Sequence, residues 1–176
     1  MEVGTWLLEP VVDDLHSAVS IDFYKKKYIF WSDVQAKKIS RAEVHNGTMS
    51  QTKDIITKNI QTPDGIAVDW INDLLYWTDT GYNSIQVTTL DGDKRTTVIS
   101  TDLDEPRGIT LDPRNGYDRY MYVTDLGKVS KIERIGMDGS HRKLLSLMLS
   151  GLTVYLLTIL SVEFIGLMPN FMKSSQ

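Results

Sequence analysis

"LLYWTDTGYNSIQVTTLDGDKR", Leu74 to Arg95, decides the fold, because the chain says nearly the same thing twice more. "IFWSD" (Ile29 to Asp33), "LYWTD" (Leu75 to Asp79) and "MYVTD" (Met121 to Asp125) close on aspartates at equal steps of 46 residues. Ahead of each stands a second recurring element: "AVSIDF" from Ala18, "GIAVDW" from Gly65 and "GITLDP" from Gly108, with a fourth start, "GLTV", at Gly151. Behind each comes a turn signal, "HNGT" at His45, "LDGDKR" at Leu90 and "MDGSHRK" at Met137. A fixed period of this length marks a repeat architecture, in which each unit is one supersecondary motif.

The recurring elements are short, rich in Val, Ile, Thr and aromatics, and bounded by Asn-Gly or Asp-Gly, which predicts strands joined by tight hairpins. No amphipathic helix of useful length lies between them. Four strands in about 45 residues, repeated in tandem, predict an all-β chain of propeller blades. The best-preserved unit reads as inner strand "GIAVD", then "LLYWTD", "SIQVTTL" and, after Asp91-Gly92, outer strand "RTTVIS". Period-2 alternation sets Leu75, Trp77 and Asp79 on one face and Tyr76 and Thr78 on the other. Both faces are demanding, as in a sheet packed between two neighbours. Gly65 and Gly108 start inner strands, where the backbone must approach its neighbours closely.

Composition narrows the function. The 176 residues include 41% hydrophobic residues, enough for one folded unit with a real core. The net charge of −4 provides no basic field for nucleic acid, and Lys25-Lys26-Lys27 reads as a solvated hairpin tip. With no cysteine there is no disulfide framework, thiolate metal site or cysteine nucleophile. His16, His45 and His141 share no register that would gather metal ligands, so neither a metal nor a cofactor is expected. "MEVGTWLLEP" lacks the basic-then-apolar order of a secretory leader. Asn46 heads an Asn-Gly-Thr glycosylation pattern, equally explained as a hairpin Asn-Gly.

The repeated aspartates Asp33, Asp79 and Asp125 are read as structural acceptors for backbone N–H groups, since repeated positions usually serve the repeat. Asp22, Asp69 and Asp112 are expected to end the inner strands and cap the turns that follow.

These elements resemble the low-density lipoprotein receptor class B, or YWTD, repeat, which builds six-bladed β-propellers. "PDGIAVDWINDLLYWTDTGYNSIQVTTLDGDKR" and "DEPRGITLDP…YMYVTDLGKVSKIERIGMDGSHRK" are most similar to the Wnt co-receptor branch of the receptor-related family. The resemblance runs from about Ala18 to Val154 and implies structural repeat roles for Trp31, Asp33, Gly65, Trp77, Asp79, Gly108 and Asp125. Val123 departs from it, standing where Trp is usual, and the third unit is therefore expected to pack less well. Tyr117-Asp118-Arg119 reads as a small insertion. The region of Lys37 is acidic in that branch, and an asparagine is usual where Ser150 stands.

On this reading the chain is a partial six-bladed YWTD β-propeller, about three blades plus the start of a fourth. Residues 1–15 end a preceding blade, 16–60, 61–103 and 104–148 are blades, and 149–176 are the damaged start of another. Shifting the frame of a back-translation from Phe164 restores a family-like "YWADAKLYEII", so a frame-shifted tail is one reading of that segment. The uncharged stretch Leu144 to Val162 as a membrane segment is the rival. Three blades cannot close a ring, and open edges are expected to make the isolated chain unstable or prone to associate.

The resemblance implies an extracellular ligand-binding module of a plasma-membrane receptor, with no enzyme activity. Its partners would be secreted protein ligands, Wnt-type or their antagonists, and it would meet the membrane only through other parts of a parent receptor. The binding loops would carry Gln35, Lys37, Asp64, Thr80, Tyr82, Arg107 and Lys128. A nidogen-like matrix-binding propeller and a non-functional truncated product are the alternatives. A propeller enzyme fits least, because the inner-strand starts offer glycine and apolar residues instead of metal ligands.

Overall fold

The fold comes from a computed structural model, which describes residues 15–45, 48–113 and 119–147. Asn46, Tyr117, Asp118 and the tail from residue 148 lie outside the described residues, with the readings attached to them. Among the described residues every regular element is a strand, and the strands form three four-stranded antiparallel sheets in chain order. Blade 1 holds β1 (Ala18–Tyr24), β2 (Tyr28–Asp33), β3 (Lys38–His45) and β4 (Thr48–Ile56). Blade 2 holds β5 (Pro63–Asp69), β6 (Leu74–Asp79), β7 (Ser84–Thr89) and β8 (Arg95–Ile99). Blade 3 holds β9 (Pro106–Asp112), β10 (Tyr120–Asp125), β11 (Lys131–Gly136) and β12 (Lys143–Leu147). This is the partial β-propeller that the repeated wording predicts.

Turn chemistry fixes the hairpins. Gly92 and Gly139 adopt φ of 82° and 89°, the left-handed region that glycine enters without steric cost. Lys37 and Asn83 take the corresponding conformation four residues after Asp33 and Asp79, with φ of 52° and 47°.

The alternation in "LYWT" is what joins the blades. Leu75 and Trp77 enter one apolar cluster with Phe30, Ile39 and Ile56 of blade 1. Tyr76 enters a second with Ile109, Met121, Val123 and Ile135 of blade 3. Both faces of blade 2 are thus covered, and removing that much apolar surface from water is the main favourable term holding the arc together. The Tyr76 hydroxyl donates to the Met137 carbonyl across the second interface (3.2 Å), and burial, reinforced by Asp69, pushes its pKa up to about 12. A Cβ at Gly65 would collide with the Arg107 carbonyl of the next inner strand, which explains the glycine there.

Polar ties repeat across the seams. Ser32 Oγ donates to the Asp64 carbonyl (2.8 Å), and Thr78 Oγ1, at the same place one blade on, donates to the Arg107 carbonyl (2.5 Å). Arg95 reaches back to the carbonyls of Lys58 (2.7 Å) and Asn59 (2.5 Å), and its guanidinium carbon lies 4.9 Å from the centre of the Trp77 ring. Arg142 grips the carbonyls of Thr101 (2.9 Å) and Asp102 (2.6 Å) in the same way. In the sequence both arginines stand three residues after the turn glycines Gly92 and Gly139.

Blade 3 carries valine where blades 1 and 2 carry Trp31 and Trp77. Val123 is buried within the second cluster. Glu133, in the register position of Gln86, accepts from Arg142 Nη2 (2.6 Å), an ion pair that stands where Arg95 Nε donates to Gln86 Oε1 (2.7 Å) in blade 2.

The first inner strand departs from the sequence alignment. Pairing sets Ile21 opposite Trp31, as Ile66 lies opposite Trp77 and Ile109 opposite Val123. Asp22 therefore matches Ala67 and Thr110 and does not match Asp69. Its carboxylate accepts from the Val68 amide of blade 2 (2.7 Å) and does not cap a turn in the manner of Asp69, which accepts from Ile71 and Asn72 (both 3.1 Å).

Trp77→Ala should cost about 3–5 kcal/mol, the range for deleting a buried aromatic. Gly65→Ala should destabilise as well, since backbone and not a flexible side chain blocks the new methyl. Urea unfolding followed by circular dichroism reads both; an unchanged midpoint for Trp77→Ala would contradict the packing described.

Candidate ligand-binding end of the propeller

β2, β6 and β10 all finish at one end of the arc, where β5 and β9 begin. Each finishes on its aspartate, and that carboxylate organises the local loops. Asp33 accepts backbone N–H bonds from His16 (2.8 Å), Ser17 (3.1 Å) and Ala36 (2.8 Å). Asp79 accepts from Gln61 (2.9 Å), Thr62 (3.0 Å), Gly81 (3.1 Å) and Tyr82 (3.2 Å). Each thus ties the segment entering its blade to the turn leaving it. Asp125 accepts from the Asp104 amide and faces Lys131 Nζ at 3.6 Å, while the Lys128 amide turns instead to Asp104 Oδ2 (2.9 Å).

That difference shows in the electrostatics. Burial would raise the Asp33 carboxyl, but the amides of Ala36, His16 and Ser17 outweigh it and hold its pKa below the ordinary 3.8. For Asp125 burial wins over the Asp104 amide and Lys131, and the pKa is raised.

The structure brings three of the anticipated loop residues together at the seam between blades 2 and 3. Arg107 Nη1 meets Asp64 Oδ2 at 2.8 Å. Thr80 Oγ1 donates to the Pro106 carbonyl (2.8 Å) and lies 3.4 Å from the same Asp64 oxygen. Tyr82, next along the turn, is 52% exposed, and its neighbour Asn83 accepts from the Glu105 amide (3.0 Å). Glu105 Oε2 stands 3.6 Å from Arg107 Nη2, so the guanidinium is braced from two sides while its side chain stays 44% exposed. Glu105 and Asn83 were missed in the sequence, although "DEPRG" places an acid two residues before the arginine.

Gln35 and Lys37 are exposed on the β2–β3 turn of blade 1, and Lys128 is exposed on the β10–β11 turn of blade 3. No hydrogen bond or ion pair joins them to the Asp64–Thr80–Arg107 group among the described residues. The described residues also contain no cluster of three or more His, Cys, Asp or Glu able to hold a metal.

An arc of four-stranded antiparallel blades in chain order, each with its second strand closing on an aspartate at the same end, defines a β-propeller architecture. The low-density lipoprotein receptor repeat class B model matches residues 27–70 and 73–113, and the chain belongs to this family of YWTD propeller repeats. Over 119 residues it is 41% identical to low-density lipoprotein receptor-related protein 5 of Mus musculus, covering 67% of this chain and 7% of that protein. Among solved structures, a chain of a nidogen/laminin complex is similar with a TM-score of 0.69 and 34% identity, over 77% of this chain and 50% of that one. A gluconolactonase of Xanthomonas campestris shares the fold, with a TM-score of 0.62 and 14% identity over 78% of this chain and 50% of the enzyme. The chain thus spans a small part of the receptor-related protein and half of each solved structure.

A sign follows for each shifted carboxyl. The depressed pKa of Asp33 adds stability that is full above 3.8 and is lost as pH falls through the lowered folded value. The raised pKa of Asp125 acts oppositely, contributing below 3.8 and fading as pH rises through its folded value. A carboxyl-carbon NMR titration should find Asp33 titrating below 3.8 and Asp125 above it; the reverse order would refute the roles assigned to their amide donors.

Proposed function

We propose that the chain is an extracellular ligand-binding module of a receptor of the low-density lipoprotein receptor-related family, Wnt co-receptor-like, that binds secreted proteins through this loop end. The observation that carries the reading is the exposed Tyr82 beside the braced, half-exposed Arg107 at a blade seam. Tyrosine and arginine dominate binding energy at protein interfaces, and an arginine already held in place loses little freedom when a partner arrives. Identity to a receptor-related protein supports the parent class. Binding here needs no chemistry at the inner-strand starts, which hold Ser20, Gly65 and Gly108; the reading is of a binding module and not of an enzyme.

A matrix-binding role is the second reading, favoured by the 34% identity to a chain solved in a nidogen/laminin complex. The two differ in partner and share the surface.

Surface plasmon resonance of the chain over immobilised Wnt-type ligands, their antagonists and laminin separates them. Tyr82→Ala and Arg107→Ala should each weaken the productive interaction by about tenfold or more. Trp70→Ala, exposed on the β5–β6 turn at the opposite end, should leave it unchanged. Loss of binding with Trp70→Ala alone would place the interface on the wrong end.

A further inference from the structure

The end of the arc opposite the ligand-binding loops carries a charged patch left to solvent. The β1–β2 turn of blade 1 is Lys25-Lys26-Lys27, all three exposed, in a chain whose net charge is −4. Beside it the β5–β6 turn of blade 2 shows Trp70 and Ile71, 39% and 48% exposed. Tyr24, itself buried, joins the two turns: its hydroxyl donates to Asp73 Oδ1 (2.5 Å), and Lys25 Nζ lies 3.7 Å from the same oxygen. Lys25 Nζ also donates to the Tyr24 hydroxyl. The cationic turn and the apolar turn are therefore held side by side.

Much of the positive charge is unanswered. Asp73 meets Lys25, while Lys27 Nζ lies over the Tyr28 ring at 4.7 Å with Glu43 on the neighbouring strand. Among the described residues no acid forms an ion pair with Lys26 or Lys27. Consecutive like charges repel, and a turn needs none of them: Gly92 and Gly139 make the hairpins at the same end of blades 2 and 3.

We infer that this patch binds a sulfated polysaccharide, with Lys26 and Lys27 on its sulfate groups and Trp70 under a sugar ring. Three features select that occupant. An ammonium is a point charge that takes an oxyanion without demanding a fixed fork, so a run of lysines matches charges strung along a flexible polymer. The half-bare indole offers a flat apolar surface on which a ring can lie. Thirdly, the basic charge is local: the β7–β8 turn sets Asp91 and Asp93 against Lys94, and the β11–β12 turn carries Asp138. A flat anionic surface such as a lipid bilayer would press on those carboxylates, whereas a linear polymer can cross blades 1 and 2 alone. The site is separate from Tyr82 and Arg107; the choice of a sugar polymer as the polyanion rests on the extracellular reading above.

Heparin is the probe, titrated into the full chain by isothermal titration calorimetry at several salt concentrations. Binding should weaken as salt rises. Lys26→Ala and Lys27→Ala should each lower affinity about fivefold and reduce the slope of log affinity on log salt by about one. Trp70→Ala should cost a similar factor with the slope unchanged. Tyr82→Ala should have no effect, so heparin binding and the protein interaction proposed for the other end succeed or fail separately. All four side chains are exposed, and the variants should keep the circular dichroism of the parent. No binding, equal binding of desulfated heparin, polyglutamate or phosphatidylserine vesicles, or lysine and tryptophan variants no weaker than the parent overturns the proposal.

Discussion

A sheet with two apolar faces cannot stand in water by itself, and every other feature of this molecule follows from that constraint. Blade 2 meets it on both sides: Leu75 and Trp77 are covered by blade 1, Tyr76 by blade 3. The polar ties across the seams are then obligatory. A backbone carbonyl or amide buried between two sheets needs a partner, and Ser32, Thr78 and Asp22 supply partners at the points of closest approach. Packing gives the energy and these bonds give the register. Neither would hold three sheets in one arrangement without the other.

The same economy separates scaffold from surface. The aspartates that end β2, β6 and β10 are spent on backbone amides and do not face a ligand. Asp33 and Asp79 also accept from the turns beyond them, whereas the turn beyond Asp125 bonds to Asp104. Tyr82 rises from a turn whose amide is bound to Asp79, and Arg107 lies one residue beyond the proline whose carbonyl Thr80 holds. A rigid base under an exposed aromatic is what lets a loop end bind without first being ordered.

Much of this was legible in the sequence because strand periodicity and Asp-Gly turns are local signals. The four strands of each blade, the two-faced reading of "LYWT" and the crowding at Gly65 needed no tertiary information. What escaped was set by contacts between repeats. Asp22 looks like Asp69 in the text, yet strand pairing moves it by one place and turns it toward Val68. Val123 departs from the repeat in a way the sequence shows, but that it is buried in a cluster with Ile109, Met121 and Ile135 depends on the packing of one blade on the next. Tyr82 and Arg107 could be picked out by residue type. Their bracing by Glu105 and Asn83 depends on the geometry between two blades, which no single stretch encodes.

The arginine clasps have a direction. Arg95 in blade 2 holds the linker that leaves blade 1, and Arg142 in blade 3 holds the linker that leaves blade 2. A chain emerging from the ribosome therefore meets each fastening only after the part to be fastened already exists, and every new blade locks its predecessor in place. Synthesis and assembly run the same way along the polypeptide. A gene that lengthens by copying its last repeat adds a blade that arrives with its own latch, whereas one added at the front has to borrow the latch of the next.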